Sequence, residues 1–149
     1  MKPSADRVIL YTDGGCDPNP GAGGWAAILT YKGHYKELSG AEHKTTNNRM
    51  ELLAAIKGLE ALKQRCAVTI YTDSEYLKNG ITAWLPGWKR HGWKRRGGAL
   101  KNVDLWQQLD ALTQEHDVHW QWIPGHAGNL LNERCDALAQ EARAKLDKK

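Results

Sequence analysis

The chain has 149 residues, 41% hydrophobic and 26% charged, a size and balance that suit one globular domain able to bury roughly two-thirds of its unfolded surface. No apolar run approaches the roughly 18 residues of a membrane span, and the opening MKPSADR lacks the apolar stretch of a secretory signal, so no membrane partner and a cytoplasmic location are expected. The net charge of +4 is unevenly placed: seven of the 21 Lys and Arg lie in residues 76–103, which contain no Asp or Glu, leaving 14 basic against 17 acidic side chains elsewhere. Three cysteines form an odd set without CxxC spacing, which argues against a zinc site, a redox pair or a disulfide framework. Cys66 and Cys135 are expected to pack as small apolar side chains.

RVILYT (7–12) is a near-continuous apolar run, the pattern of a strand covered on both faces, and it stops at Asp13 and a Gly-rich loop. GWAAILTY and HYKELSG flank Lys32-Gly33, a hairpin turn. In NNRMELLAAIKGLEALKQR, Leu52, Leu53, Ile56, Leu59 and Leu62 recur at helical spacing. Asn48 followed by Glu51 reads as a capping box and starts that helix near residue 47 or 48. AVTIYT (67–72) then repeats the first strand and again leads to an aspartate, Asp73. SEYLKNGITAWL reads as one or two helices, with Asn79-Gly80 and Pro86-Gly87 as breaks. A basic loop follows in which Trp84, Trp88 and Trp93 alternate with Lys and Arg, the combination a nucleic-acid groove uses, although a solvated face is the plainer reading of charge alone. A helix over about 101–114 carries Val103, Leu105, Trp106, Leu109 and Leu112, and VHWQWI (118–123) alternates as a strand does. After PGHAGN, a last helix from about 130 to 145 buries Leu131, Cys135, Leu138 and Ala142. The order β-β-β-α-β-α-α-α-β-α predicts a single α/β domain, a mixed sheet with helices on its faces.

The repeated Tyr-Thr-Asp raises a chemical question. If the two strands are parallel neighbours, Asp13 and Asp73 emerge side by side where reactive groups gather in such sheets. Singly, each could as well cap the segment that follows it, Asp73 especially. Glu51, one turn into the first helix, and Asp136, in the last, add two more acids; their plainer roles are capping-box partner and solvated side chain. Brought together, such carboxylates would need cations to neutralise them. All-oxygen ligands select a hard divalent ion, Mg²⁺ before Zn²⁺. A pair of such ions about 4 Å apart could flank a phosphodiester. With the basic, Trp-rich loop, this points to metal-dependent phosphodiester hydrolysis. His126, between Gly-flanked turns, suits proton transfer near neutral pH.

Together TDGGCDPNPGAGG, TTNNRMELLAAI, YTDSEY, GITAWLPGWKRHGWK, KNVDLWQQLD and GHAGNLLNERCDALA resemble bacterial type 1 ribonuclease H, in that family's order and over about residues 7–142. The resemblance implies one domain over 1–149 with a five-stranded mixed sheet, its first three strands antiparallel and helices on both faces. It implies cleavage of the RNA strand of an RNA–DNA hybrid, leaving 5′-phosphate and 3′-hydroxyl ends, using Mg²⁺ with Mn²⁺ as a substitute; a monomer is expected because no surplus apolar stripe asks for a partner. By position, Asp13, Glu51, Asp73 and Asp136 match the family's metal-binding carboxylates, and His126 its mobile histidine. Gly14, Cys16, Asn19, Asn47, Asn48 and Asn132 fall where the family touches the hybrid, Thr46 where it grips a DNA phosphate. Trp84, Trp88 and Lys89 belong to its basic protrusion, about 84–101 here. Recognition through sugar, phosphate and helix shape implies little sequence preference. Other readings are a silent hybrid-binding module, or a DNA-cutting nuclease of the same fold.

Two positions depart from the pattern. Asn129-Leu130-Leu131 stands where the family often has a His-Pro-Glu stretch. Glu75 stands where bacterial members usually have Gln, adding a carboxylate and removing an amide donor beside the acids. Glu75→Gln is therefore expected to tighten hybrid binding, read as a lower Kd; unchanged affinity and turnover would refute a role for this position.

Overall fold

The structure, a computed structural model, describes residues 7–93, 101–123 and 130–147. In chain order these form β1 (Val8–Cys16), β2 (Gly21–Tyr31), β3 (His34–Thr45), α1 (Asn47–Glu60), β4 (Ala67–Thr72), α2 (Glu75–Asn79), a π-helical turn (Gly80–Trp84), α3 (Leu85–Arg90), α4 (Val103–Glu115), β5 (Asp117–Trp122) and α5 (Leu130–Ala144). The strands lie in the order β3-β2-β1-β4-β5. β1, β2 and β3 are antiparallel, and β4 and β5 add in parallel. Lys32 and Gly33 both have positive φ (47° and 86°), as the tight turn between β2 and β3 requires.

Two cores follow from the alternation of side chains across the sheet. Val8, Leu10, Val68 and Ile70 face α1 and α4, where Leu52, Ile56, Leu59, Trp106 and Leu109 complete the larger cluster. Tyr11, Ala26 and Ile28 point to the other face, where Cys135, Leu138 and Ala139 of α5 cover them. Cys135 is buried as expected, its Sγ against the carbonyls of Tyr11 and Ala26, while Cys66 packs half-buried at the margin of the larger core.

The echo between the two strands is one of register. β1 and β4 pair Val8 with Val68, Ile9 with Thr69, Leu10 with Ile70 and Tyr11 with Tyr71, so equivalent residues of the two runs are neighbours. The two tyrosine rings stack at 4.8 Å. Continuing that register by two residues sets Asp13 and Asp73 level, on the α5 side of the sheet.

Three expectations change. β1 does not stop at Asp13: pairing with β2 carries it on to Cys16, opposite Gly23, after the parallel ladder with β4 has ended. Only the β4 run ends at its aspartate. The cap of α1 is Thr46, whose Oγ1 accepts from Arg49 N at 3.2 Å, so Asn48 and Glu51 do not form a capping box. Neither Asn79-Gly80 nor Pro86-Gly87 is a break: Gly80 is helical (φ −63°, ψ −47°), the chain continues through the π turn into α3, and Pro86 and Gly87 lie in its first turn. Gly80 is small because the Trp106 ring lies where a Cβ would be. Trp106 is fully buried, and its Nε1 donates to Tyr76 Oη at 3.0 Å.

Gly80→Ala separates packing from propensity. In an open helix the change would add about 1 kcal/mol of stability. Overpacking against Trp106 costs roughly 1–3 kcal/mol, so a net destabilisation is expected in urea unfolding, read as a lower midpoint with unchanged slope.

Candidate active site

Glu51 reaches the two strand-borne aspartates because α1 lies directly on β1. A Cβ on Gly14 would meet the backbone of Met50 and sit 2.7 Å from Glu51 N, so no larger residue allows this approach. Carboxylate oxygens of Asp13, Glu51 and Asp73 then lie within 4.8 Å of one another. The plainer roles for these acids are taken by other residues. Ser74 caps α2, its Oγ accepting from Leu77 N at 3.1 Å, and Thr46 caps α1. Both carboxylates are left free for the site.

Asp136 comes from α5, which packs so closely on β2 that a Cβ on Gly24 would collide with Ala139 O. It is exposed and accepts from Gln140 Nε2 at 3.0 Å. Asp136 stands at the rim rather than within the tight trio, near enough to Asp13 to hydrogen-bond with it and perturb its charge. Asp13, Glu51, Asp73, Asn132, Glu133 and Asp136 line a cleft of about 260 Å³. Glu133 is a fifth acid that the sequence reading missed; its signal was the spacing of three residues before Asp136, one turn along the same helix face.

The trio is strongly perturbed. Burial pushes Asp13 from an ordinary 3.8 up to about 8, helped by its hydrogen bond with Asp136 and the charges of Asp73 and Asp136, while the Gly14 N–H pulls the other way. Burial, then the charges of Asp13 and Asp73, hold Glu51 well above the usual carboxylate range. Glu51 Oε1 is fully enclosed and has no hydrogen-bond partner. An enclosed, unpaired oxygen facing two further carboxylates fits a divalent cation, the oxygen-only donor set favouring a hard one.

Some of the expected substrate contacts lie along one lip. Asn47 N donates to Asn19 Oδ1 at 3.1 Å, and Cys16 N donates to Asn47 Oδ1, so Cys16, Asn19 and Asn47 are tied into one edge beside Gly14. Asn48 is exposed next to Asn47, and Thr46 precedes both. Asn132 is buried in the cleft wall, and Glu75 is exposed at the start of α2 beside Asp73. Trp84 is exposed, but Trp88 is half-buried, edge-on to Trp106 at 5.5 Å, and Trp93 packs on the larger core. Lys89 Nζ is paired with Asp110 at 3.2 Å. The structure thus gives Trp88, Trp93 and Lys89 scaffold contacts that the sequence reading did not assign. His126, and the part of the basic protrusion over 94–100, lie outside the described residues.

A carboxylate trio that fits a divalent cation, at the end of a mixed sheet and lipped by amides, defines a metal-dependent phosphodiester hydrolase. The chain belongs to the RNase H family, whose model matches residues 5–144. The ribonuclease H of Francisella philomiragia subsp. philomiragia is 60% identical over 142 residues, 95% of this chain and 93% of that protein. That of Francisella tularensis subsp. novicida is 59% identical over the same length. Among solved structures, LC9-RNase H1, a type 1 RNase H with the type 2 active-site motif, matches with a TM-score of 0.84 at 32% identity, covering 94% of this chain and 73% of that one. LC11-RNase H1 in complex with RNA/DNA hybrid matches at 0.72 with 25% identity, covering 94% and 99%.

The raised carboxylates make the cation-free protein pH-sensitive. Because folded Asp13 holds its proton more tightly than the unfolded chain does, its favourable contribution is complete below pH 3.8 and is lost as pH rises through about 8. Asp13→Asn is therefore expected to melt higher than wild type in EDTA above pH 8, each 1 kcal/mol being worth roughly 3 °C at this length, with the gap closing towards pH 4. A divalent cation should narrow the gap by stabilising wild type more than the variant. Thermal melts over a pH series with and without cation check both.

Proposed function

We infer that this protein is an endoribonuclease that hydrolyses the RNA strand of RNA–DNA hybrids with the help of a divalent cation, leaving 5′-phosphate and 3′-hydroxyl ends. The observation that carries the reading is the convergence of Asp13, Glu51 and Asp73, in a chain of the RNase H family. The cation is Mg²⁺, with Mn²⁺ able to substitute, because hard ions suit an oxygen-only donor set. When bound, it would supply positive charge for the scissile phosphate and lower the pKa of attacking water.

The protein's own groups do the rest. Asp13, Glu51 and Asp73 hold the cation in place, with Asp136 at the rim. Gly14, Cys16, Asn19, Asn47, Asn48 and Asn132 present backbone and amide groups to the sugar edge, where the 2′-hydroxyl distinguishes RNA from DNA. Thr46 retains its hydroxyl hydrogen for a phosphate of the DNA strand while its oxygen caps α1. Glu75 borders the same groove. Trp84, Trp88 and Lys89 form the root of a basic protrusion that receives the far part of the duplex. His126 moves a proton to or from the leaving group. A silent binder is disfavoured, because binding alone would not gather negative charge beneath a polyanion. The protein acts as a monomeric single domain in the cytoplasm; among the described residues, no helix is long and apolar enough to cross a membrane.

End-labelled RNA–DNA hybrid, double-stranded RNA, single-stranded RNA and DNA duplex, each with Mg²⁺, Mn²⁺ or EDTA, test this reading. Expected is cation-dependent cutting of the hybrid's RNA strand alone, reduced by roughly 10²-fold or more in Asp13→Asn, the scale of losing a group at the reacting centre. Binding of the hybrid without cleavage would favour the silent module. Cutting of the DNA duplex would favour a DNA nuclease.

A further inference from the structure

α5 carries Glu133, Asp136, Gln140 and Arg143 at spacings of three, four and three residues, which places them along one side of the helix. The function proposed above uses the first half of this stripe. The second half borders a separate cleft of about 340 Å³, on the other flank of Asp13, between α5 and the Gly14–Asp17 segment. Asp13, Asp136 and Asn47 line this cleft together with Gln140 and Arg143. Because the two clefts share Asp13 and Asp136, a strand with its scissile phosphate over Asp13 borders the second cleft as well.

Arg143 is the side chain there that no role yet explains. It is half-buried, and it makes no hydrogen bond or ion pair to any described residue, although Asp13, Asp17 and Asp136 line the same cleft. Three other arginines are committed. Arg134, on the same helix, holds Glu37 through bonds of 2.8 and 3.1 Å; Arg49 holds Asp104 at 2.9 and 3.1 Å; Arg7 holds Asp117 at 3.2 Å. An uncommitted guanidinium bordering a substrate track is a ready phosphate ligand, since its planar fork matches two phosphate oxygens. It would also offset the repulsion that three nearby acids exert on a polyanion. Its Cα is about 10 Å along the helix from that of Asp136, beyond the scissile position itself.

We propose that Arg143 binds a backbone phosphate of the RNA strand adjacent to the scissile phosphate. The proposal rests on the hybrid-cleavage reading, and its test distinguishes the two. Wild type, Arg143→Ala, Arg143→Lys and Lys36→Ala are compared on one RNA–DNA hybrid across a salt series, with melting curves to confirm folding. Lys36 sits opposite Leu29, at the end of the sheet away from Asp13, so its removal controls for net charge. Arg143→Ala should raise KM about fivefold or more near 0.1 M salt, leave kcat within about twofold, and reduce the slope of log KM against log salt by about 0.7–0.9. Arg143→Lys should recover part of the loss, and Lys36→Ala should leave the slope as it is. The proposal is overturned if Arg143→Ala matches wild type in KM and slope, if Lys36→Ala changes the slope equally, or if kcat falls while KM stays. Should wild type cleave nothing, the hybrid-cleavage reading fails. Arg143 is then judged by whether Arg143→Ala weakens the Kd for the same hybrid, with an unchanged Kd overturning the proposal.

Discussion

Mutual repulsion among Asp13, Glu51 and Asp73 is the constraint around which the fold is arranged. Their oxygens converge within 4.8 Å, partly out of water, an arrangement that opposes folding unless the acids stay protonated or a cation intervenes. The offsetting stability comes from elsewhere. Leu10, Ile56, Leu59, Ile70, Trp106 and Leu109 bury one face of the sheet, and Tyr11, Ile28, Cys135 and Leu138 the other. The site sits where these two cores end. Parallel register fixes two of the acids, and a helix laid on bare backbone at Gly14 fixes the third, so none depends on a flexible loop.

Much of this was legible in the sequence, because it rests on period and repetition. The β4 run, the Lys32-Gly33 turn, α5 and the order of elements follow from alternation or helical spacing that each segment carries within itself. Asp13 and Asp73 were legible as a pair because parallel neighbours align repeats. What escaped depends on partners distant in the chain. β1 outruns its own apolar pattern because β2 continues to pair with it. Gly80 looks like a helix break until Trp106, 26 residues later, is found against it. Asn48 with Glu51 has the spacing of a capping box, yet Thr46 caps α1, and only its hydrogen bond from Arg49 N reveals that. Glu133 was passed over because a helix acid is ordinarily solvated and its neighbour Asp136 explained the motif alone.

The tryptophans show one residue type serving two ends. Trp106 is the hub: Tyr76 Oη accepts from Trp106 Nε1 and from Asn102 Nδ2, each at 3.0 Å. Trp88 stacks edge-on to the hub and Trp84 packs on both Tyr76 and Trp88. The segment from Trp84 to Trp93 is therefore built on the larger core.

Asp136 reaches the cleft on α5, which lies against β2 at Gly24 yet follows every strand in the chain. During synthesis β1, β2, β3 and α1 leave the ribosome first, and their contacts are largely between sequence neighbours. The parallel seam must wait for β4, and the rim acid for the final helix. Asp13, Glu51 and Asp73 can therefore come together before the rim acid joins them.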